Sequence, residues 1–440
     1  METASPLSGE ALALVERAAA LAAAGRLHEA EQICRRVIGM APRAIEPRSL
    51  FATLAVQSDR FDEAAEALTK CSQLAPLDAQ LAFRQGWACE RAGRSKEAIE
   101  AYLRAFRLEP HDPRLALFAG AALEDAGRYE EAAIVFSFGD DADSQMRKLH
   151  LNPDAPREIK ERSKKADFRV RERFTQLHAE AVDEVERRLS REARVPNLER
   201  VRRAVWPQTH ASGFQYRTPL QAPDIFYMAD LPASPTLSRE NLPWARAVEA
   251  CVDVIRREYQ SAIEHGAPMA PYVHANTQAP TWRELKGKMD WSSLHLYAHA
   301  EATPAVQLFP ETLRALEAAD VVRVKGGTPI ELFFSRLAPG AHIPPHCGAA
   351  NNRLTVHLPL VVPADCGIRI GHETHSWRAG EILAFDDSFE HEAWNKSGSE
   401  RVVLIFEAHH PDLSLEERRA IEFVFEARDR WRQSRRVPER

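Results

Sequence analysis

Between residues 9 and 143 the apolar and polar positions recur with a period of 34: GRLHEA at 25–30, DRFDEA at 59–64, GRSKEA at 93–98 and GRYEEA at 127–132. Three further series keep that phase: Pro42, Pro76 and Pro110; the small residues Ala18, Ala52, Gly86 and Gly120; and the bulkier Cys34, Leu68, Tyr102 and Phe136. This register predicts pairs of helices, with a turn at Gly or Asp, small residues letting the helices approach, and Pro ending the second helix. No Pro closes a fourth unit at Ser144, so the array is expected to stop there. From Arg157 to about Val205, Phe168, Val170, Phe174, Leu177, Ala181, Val185 and Leu189 recur near helical spacing in a highly charged stretch. That pattern predicts a long amphipathic helix or helix pair, most simply a solvated connector. Prolines at 219, 223, 232, 235 and 243 then mark a boundary near residues 207–222, and a helix is expected from Pro243 to about Gln260.

After Pro329 the texture changes to short runs, ELFFSRL, NRLTVHLPLVV, GIRIGH, EILAFDD and RVVLIFEA, rich in β-branched and aromatic residues and separated by Gly, Pro and Asp. These predict strands of an antiparallel sandwich. Period two puts Arg353, Thr355 and His357 on one face and Leu354, Val356 and Leu358 on the other, as expected of a strand lining a cavity. The expected domains are a helical repeat array (1–143), a charged helical connector (144–222) and a strand-rich domain (223–440). The amino-terminal pattern resembles the tetratricopeptide repeat, which implies a solenoid with a concave groove for a peptide or protein; the alternative is a packing or dimerising module.

Composition narrows the function. The 58 Lys and Arg against 64 Asp and Glu leave a net charge of −6, without the basic excess that phosphate backbones demand, so no nucleic-acid partner is expected. The opening METASPLSGE lacks a cationic leader and no uninterrupted apolar run reaches a membrane-spanning length, so a cytoplasmic protein without a membrane segment is expected. A strong preference for Arg over Lys fits a GC-rich bacterial genome. Cys34, Cys71, Cys89, Cys251, Cys347 and Cys366 are scattered without C-x-x-C pairing and are expected as reduced thiols.

Eight of the 17 histidines fall between His342 and His410, which justifies testing for a metal. His346 in AHIPPHCG and His391 in FDDSFEHEAW are each expected in a turn beside a strand, and Arg401 follows ten residues after His391. Two neutral imidazoles can hold Fe(II) with positions left for a bidentate oxo-acid and dioxygen. Arg401 could pair with the remote carboxylate of that acid, at a barrel mouth built by these strands.

The segments SRLAPGAHIPPHCGAANNRLTVHLPLVVP and WRAGEILAFDDSFEHEAWNKSGSERVVLIFEAHHP resemble the aspartyl/asparaginyl β-hydroxylase family of iron and 2-oxoglutarate dioxygenases. Weaker likeness reaches back to about Asp224. The resemblance implies a double-stranded β-helix (jelly-roll) domain, and an α+β multidomain chain overall. It implies a dioxygenase that converts 2-oxoglutarate and O2 to succinate and CO2 while hydroxylating an unactivated C–H, foremost on an Asp- or Asn-type side chain of a protein or peptide recruited by the repeats. A free amino acid, a natural product or a lipid headgroup remains open as substrate, as does a catalytically silent scaffold.

Carried onto matching positions, His346 and His391 ligate the iron. Gly348 stands where most related oxygenases have a third, carboxylate ligand, an absence the family shares. Asp387 is a candidate to hold water in that vacancy, and Ser335 and Arg401 to bind the far carboxylate of 2-oxoglutarate, with His357 approaching the co-substrate. Arg353, Thr355 and Lys286 are the substrate-binding candidates. Thr355 and Lys286 stand where the family usually has Arg, which weakens carboxylate recognition. Plainer readings stand beside these: His357 as a structural histidine, Asp386 and Asp387 as an Asx-type turn, and Trp291 and Tyr297 as core.

Overall fold

The computed structural model describes residues 5–191, 197–324 and 327–438. It divides into two compact units, Met1–Phe174 with Trp431–Arg440, and Thr175–Arg430. The first contains four helix–turn–helix pairs: α1 (Gly9–Ala23) and α2 (Leu27–Met40), α3 (Glu46–Gln57) and α4 (Phe61–Leu74), α5 (Ala79–Arg91) and α6 (Ser95–Leu108), α7 (Pro113–Asp125) and α8 (Tyr129–Ala142). Each turn needs left-handed backbone, supplied by Gly25, Gly93 and Gly127 at φ 77°, 75° and 75°, and by Asp59 at 57°. The motif's Arg then pairs with its Glu three residues on, as in Arg94 with Glu97 and Arg128 with Glu131. The small and bulky series meet: a Cβ on Gly86 would lie 2.6 Å from the Tyr102 ring, and one on Gly120 2.5 Å from that of Phe136. The repeating pairs end at Ala142, where a 3-10 turn (Ser144–Leu151) follows. Its buried Arg147 is held by Asp140 and Asp167, each at 2.6 Å.

The expected amphipathic helix is α9 (Arg157–Arg191), followed by the short α10 (Glu199–Arg202); residues 192–196 of that expectation lie outside the described residues. The helix expected from Pro243 is instead two, α11 (Ala245–Glu249) and α12 (Val252–Glu264), interrupted where Cys251 leaves helical geometry at φ −95°, ψ 3°. Two more helices complete the second unit, α13 (Pro310–Ala315) and α14 (Leu415–Ser434), the latter extending into the first unit. No described helix is long and apolar enough to cross a membrane.

The strands are β1 (Thr236–Leu237), β2 (Ala270–Pro271), β3 (Trp291–Ala298), β4 (Glu301–Ala302), β5 (Leu332–Leu337), β6 (His342–His346), β7 (Arg353–Val361), β8 (Cys366–Ile370), β9 (Glu373–His375), β10 (Leu383–Phe385), β11 (His391–Asn395) and β12 (Arg401–His409). One sheet runs β1-β10-β7-β12-β5-β3-β2 with β4 beside β3, and the other β6-β11-β8-β9. From β5 to β12 the chain alternates between the sheets, apart from the β8–β9 hairpin, which is the winding of a double-stranded β-helix. Among the described residues the sheets do not close into a barrel; the expected barrel mouth is instead a gap between two facing sheets.

Alternation sorts the larger sheet's side chains as expected. Leu354, Val356, Leu358, Leu404 and Phe406 face a core with Ile255 and Tyr259 of α12 and with Phe309. The opposite face turns toward the smaller sheet. There Leu337, Ile343, Ile368, Ile370, Trp377 and Phe385 form a second apolar cluster, and Ile343, Ile368 and Phe385 also line the cavity described next.

Candidate active site

A cavity of about 320 Å³ opens between the two sheets. His346 is the last residue of β6 and His391 the first of β11, so both lie at strand ends rather than in the expected turns, and they are direct cross-strand partners. Their rings are 4.1 Å apart, centre to centre. The Nδ1 of His346 lies 2.8 Å from the Pro344 carbonyl and that of His391 2.9 Å from the Phe389 carbonyl. An Nδ1–H donated to each carbonyl leaves the two Nε2 atoms as lone-pair donors, the tautomer a metal requires. Burial, with the neighbouring His391 adding, lowers the His346 pKa to about 4, and burial also lowers that of His391, so both rings are neutral near pH 7. Trp282 and Phe385 present ring edges to the pair.

Arg401 lies deeper in the same cavity. Its guanidinium is 1% exposed and sits 4.6 Å above the Trp377 ring; its NH1 reaches Ser335 Oγ at 3.5 Å, and its Nε is buried without a hydrogen-bond partner. Burial lowers its pKa to about 10, which still leaves it charged near neutrality. A buried cation facing a cavity without a carboxylate partner is costly, and an anion entering there would offset that cost. Ser335 also accepts from Trp291 Nε1 at 3.1 Å, so its hydroxyl hydrogen is free to turn toward a ligand. His357 accepts from Trp377 Nε1 at 3.2 Å through Nδ1, which puts its own proton on Nε2. Burial, reinforced by Arg401 and His391, holds its pKa well below the usual value.

The paired aspartates divide the two roles left open by the sequence. Asp386 forms the Asx-type turn, accepting from Ser388 N at 3.0 Å, Ser388 Oγ at 2.6 Å and Gln221 Nε2 at 2.9 Å. Asp387 faces the cavity, where Oδ2 accepts from Thr355 Oγ1 at 2.9 Å. Its carboxyl fills the place a side chain at 348 would take, because a Cβ built on Gly348 overlaps its Cγ and both oxygens. The Gly348 N–H donates to the Asp387 carbonyl at 2.6 Å, fixing the two segments together. Burial raises the Asp387 pKa against the pull of Arg353, Thr355 and His346. Among the described residues, no three His, Cys, Asp or Glu side chains form a metal-binding group.

Arg353 does not line the cavity directly; its Nε pairs with Glu407 Oε1 at 2.9 Å. Lys286 is half-buried and away from the lining, to which Trp282, four residues earlier, contributes instead. Trp291, expected as core, is both buried and part of the lining. Glu407, Glu331 and Tyr272 also line the cavity and were not singled out from the sequence. The first two had a signal: the alternation that groups Arg353, Thr355 and His357 also groups Arg401, Val403, Ile405 and Glu407, and Glu331, Phe333 and Ser335.

Comparisons with known proteins match two segments of the chain. Residues 249–411 match the family model described as Aspartyl/Asparaginyl beta-hydroxylase, and residues 50–113 and 93–137 match the Tetratricopeptide repeat. The chain thus carries one segment similar to tetratricopeptide repeats and another similar to the aspartyl/asparaginyl beta-hydroxylase family. It is 37% identical over 145 residues to the Aspartyl/asparaginyl beta-hydroxylase of Mus musculus, covering 32% of this chain and 19% of that protein. It is 28% identical over 187 residues to the Ornithine lipid ester-linked acyl 2-hydroxylase of Rhizobium tropici, covering 42% and 63%. Less than two thirds of either relative is therefore spanned. Among solved structures, YrrB, "a TPR protein with an unusual peptide-binding site", matches with 17% identity and a TM-score of 0.30 over 36% of this chain and 86% of that one.

Proposed function

We propose that this protein is an Fe(II)- and 2-oxoglutarate-dependent dioxygenase that hydroxylates an unactivated C–H bond. The observation that carries the reading is one cavity holding two neutral imidazoles with free Nε2 atoms together with a buried guanidinium whose Nε has no hydrogen-bond partner. In this reading His346 and His391 hold the iron. When bound, it supplies the chemistry by which 2-oxoglutarate, O2 and R–H become succinate, CO2 and R–OH.

The chain's own residues bind and orient. Arg401 and Ser335 receive the remote carboxylate of 2-oxoglutarate, and the Nε2–H of His357 donates to the same ligand. Asp387 holds a water where a third protein ligand is lacking, in a place that Gly348 leaves free. The apolar lining of Ile343, Ile368 and Phe385 disfavours bulk water. Thr355 and Trp282 line the substrate side, with Arg353 behind them on Glu407; the family's name suggests that the substrate is an Asp- or Asn-type side chain of a protein or peptide, and the repeats recruit that polypeptide. The test is succinate formation by protein loaded anaerobically with Fe(II) and 2-oxoglutarate and then exposed to O2. Slow turnover is expected from the wild type and none from His391→Ala; equal turnover by both would refute the assignment.

A further inference from the structure

The groups on the substrate side of the cavity are not those an anionic substrate needs. Asp387, Glu331 and Glu407 all line it, whereas Arg401 is the one Lys or Arg among the lining residues, and it lies at the co-substrate end. Glu407 stands opposite Thr355 in the β7–β12 register, on the inward face. Its Oε1 is engaged by Arg353, but its Oε2 is buried without a hydrogen-bond partner, and its side chain is only 13% exposed. A desolvated carboxylate oxygen is costly to leave unpaired. Burial pushes the Glu407 pKa up to about 7 against the opposing pull of Arg353, and the like charges of Asp387 and Glu331 reinforce the rise, as expected of an acid lacking a second cation.

Aromatic faces complete the wall. Tyr272, 36% exposed, stacks on Trp291 at 3.9 Å and lies 5.5 Å from Phe333, and all three line the cavity. Glu331 stands beside them and accepts the His299 N–H at 3.0 Å. Carboxylates set against aromatic rings attract a cation twice over, by charge and by the ring quadrupoles. A carboxylate-bearing substrate would meet like charge there: Arg353 is already held by Glu407, and the ring nitrogens facing Glu331 are those of His299 at 3.4 Å and His295 at 3.9 Å.

We propose that the substrate group admitted to this cavity is a cationic nitrogen, an ammonium or guanidinium, received by Glu407 and Glu331 against the face of Tyr272. The inference rests on the dioxygenase reading and specifies its substrate class, in place of the carboxylate that the family's name suggests. The cation could belong to a free amino acid or to a peptide side chain, and the test separates these sources.

Full-length protein is loaded anaerobically with Fe(II) and 2-oxoglutarate, and formation of the complex is confirmed by its visible absorption band. The complex is then titrated with L-arginine, L-lysine, L-norleucine and L-glutamate, each free and as the central residue of one blocked pentapeptide. Perturbation of the band reads binding, and succinate formed after admitting O2 reads turnover. Arginine or lysine probes should bind at least about tenfold more tightly than glutamate probes, and Glu407→Gln should shrink that ratio about fivefold or more while Glu407→Asp retains most of it. Glu331→Gln provides a second variant should Glu407→Gln fold poorly. Preference for free or peptide-borne probes identifies the source. Absence of a cationic preference, whether because glutamate probes bind as well or because none binds, overturns the inference while leaving the metal and co-substrate reading intact. Failure of the starting complex to form refutes that reading, and this inference with it.

Discussion

Gly348→Ala tests the site through a single methyl group. A Cβ at this position overlaps the Asp387 carboxyl, and the backbone bond between the two residues prevents either segment from retreating. Asp387 must therefore swing away and lose its 2.9 Å bond from Thr355. A hydrogen bond to a charged acceptor contributes about 1.5–3 kcal/mol. If that carboxylate holds a water on the metal, displacing it should weaken metal binding by roughly 10- to 100-fold, at about 1.4 kcal/mol per decade. The assay is anaerobic calorimetric titration with Fe(II), and with Co(II) as an air-stable substitute, alongside thermal unfolding to confirm an intact fold. Asp387→Ala should produce a similar loss. In the double variant the new methyl enters space already vacated, so Gly348→Ala should add no more than about 0.5 kcal/mol to the Asp387→Ala effect. Fully additive losses would refute the claim that the Asp387 carboxyl occupies the place of a residue-348 side chain.

Arg401→Lys replaces a fork by a point charge and should raise the KM for 2-oxoglutarate by about 30-fold or more, corresponding to at least about 2 kcal/mol; an unchanged KM would remove Arg401 as the anchor. Gly120→Ala drives a methyl into the Phe136 ring and should cost about 1–3 kcal/mol of repeat stability, seen as a lower urea midpoint; an unaltered midpoint would contradict the close helix approach. His178 is buried, with Nδ1 accepting from Trp206 Nε1 at 3.2 Å and Nε2 2.9 Å from the Val201 carbonyl. Burial lowers its pKa to about 4 from an ordinary 6.5, so the unfolded chain binds the proton more readily. Its contribution is full above pH 6.5 and falls as pH drops toward 4, by up to about 3 kcal/mol. His178→Gln should therefore lose less stability than the wild type between pH 7 and pH 5 in thermal melts, and an identical slope would count against this residue's role.

Much of this arrangement is legible in the sequence because it rests on periodicity. The 34-residue phase places Gly86 under Tyr102 and Gly120 under Phe136 without knowledge of any coordinate. Alternation along β7 likewise separates Thr355 and His357 from the core of Leu354, Val356 and Leu358. What the sequence could not rank is long-range juxtaposition. Asp386 and Asp387 are adjacent and chemically identical, and only the partners each reaches, Ser388 and Gln221 for one and Thr355 for the other, assign the turn and the cavity. Glu407 lies in phase with Arg401 but carries no sign of burial or of its pairing with Arg353. Tyr272 reaches the wall from the bend just after the two-residue strand β2, which is too short for period two to register.

The most direct test of the metal and co-substrate assignment is anomalous diffraction at the iron edge from crystals grown anaerobically with saturating Fe(II) and 2-oxoglutarate. A single strong peak within bonding distance of Nε2 of both His346 and His391, with the remote carboxylate of 2-oxoglutarate on Arg401, is the predicted result. A map with no iron between those imidazoles, or with iron held by other residues, would contradict it.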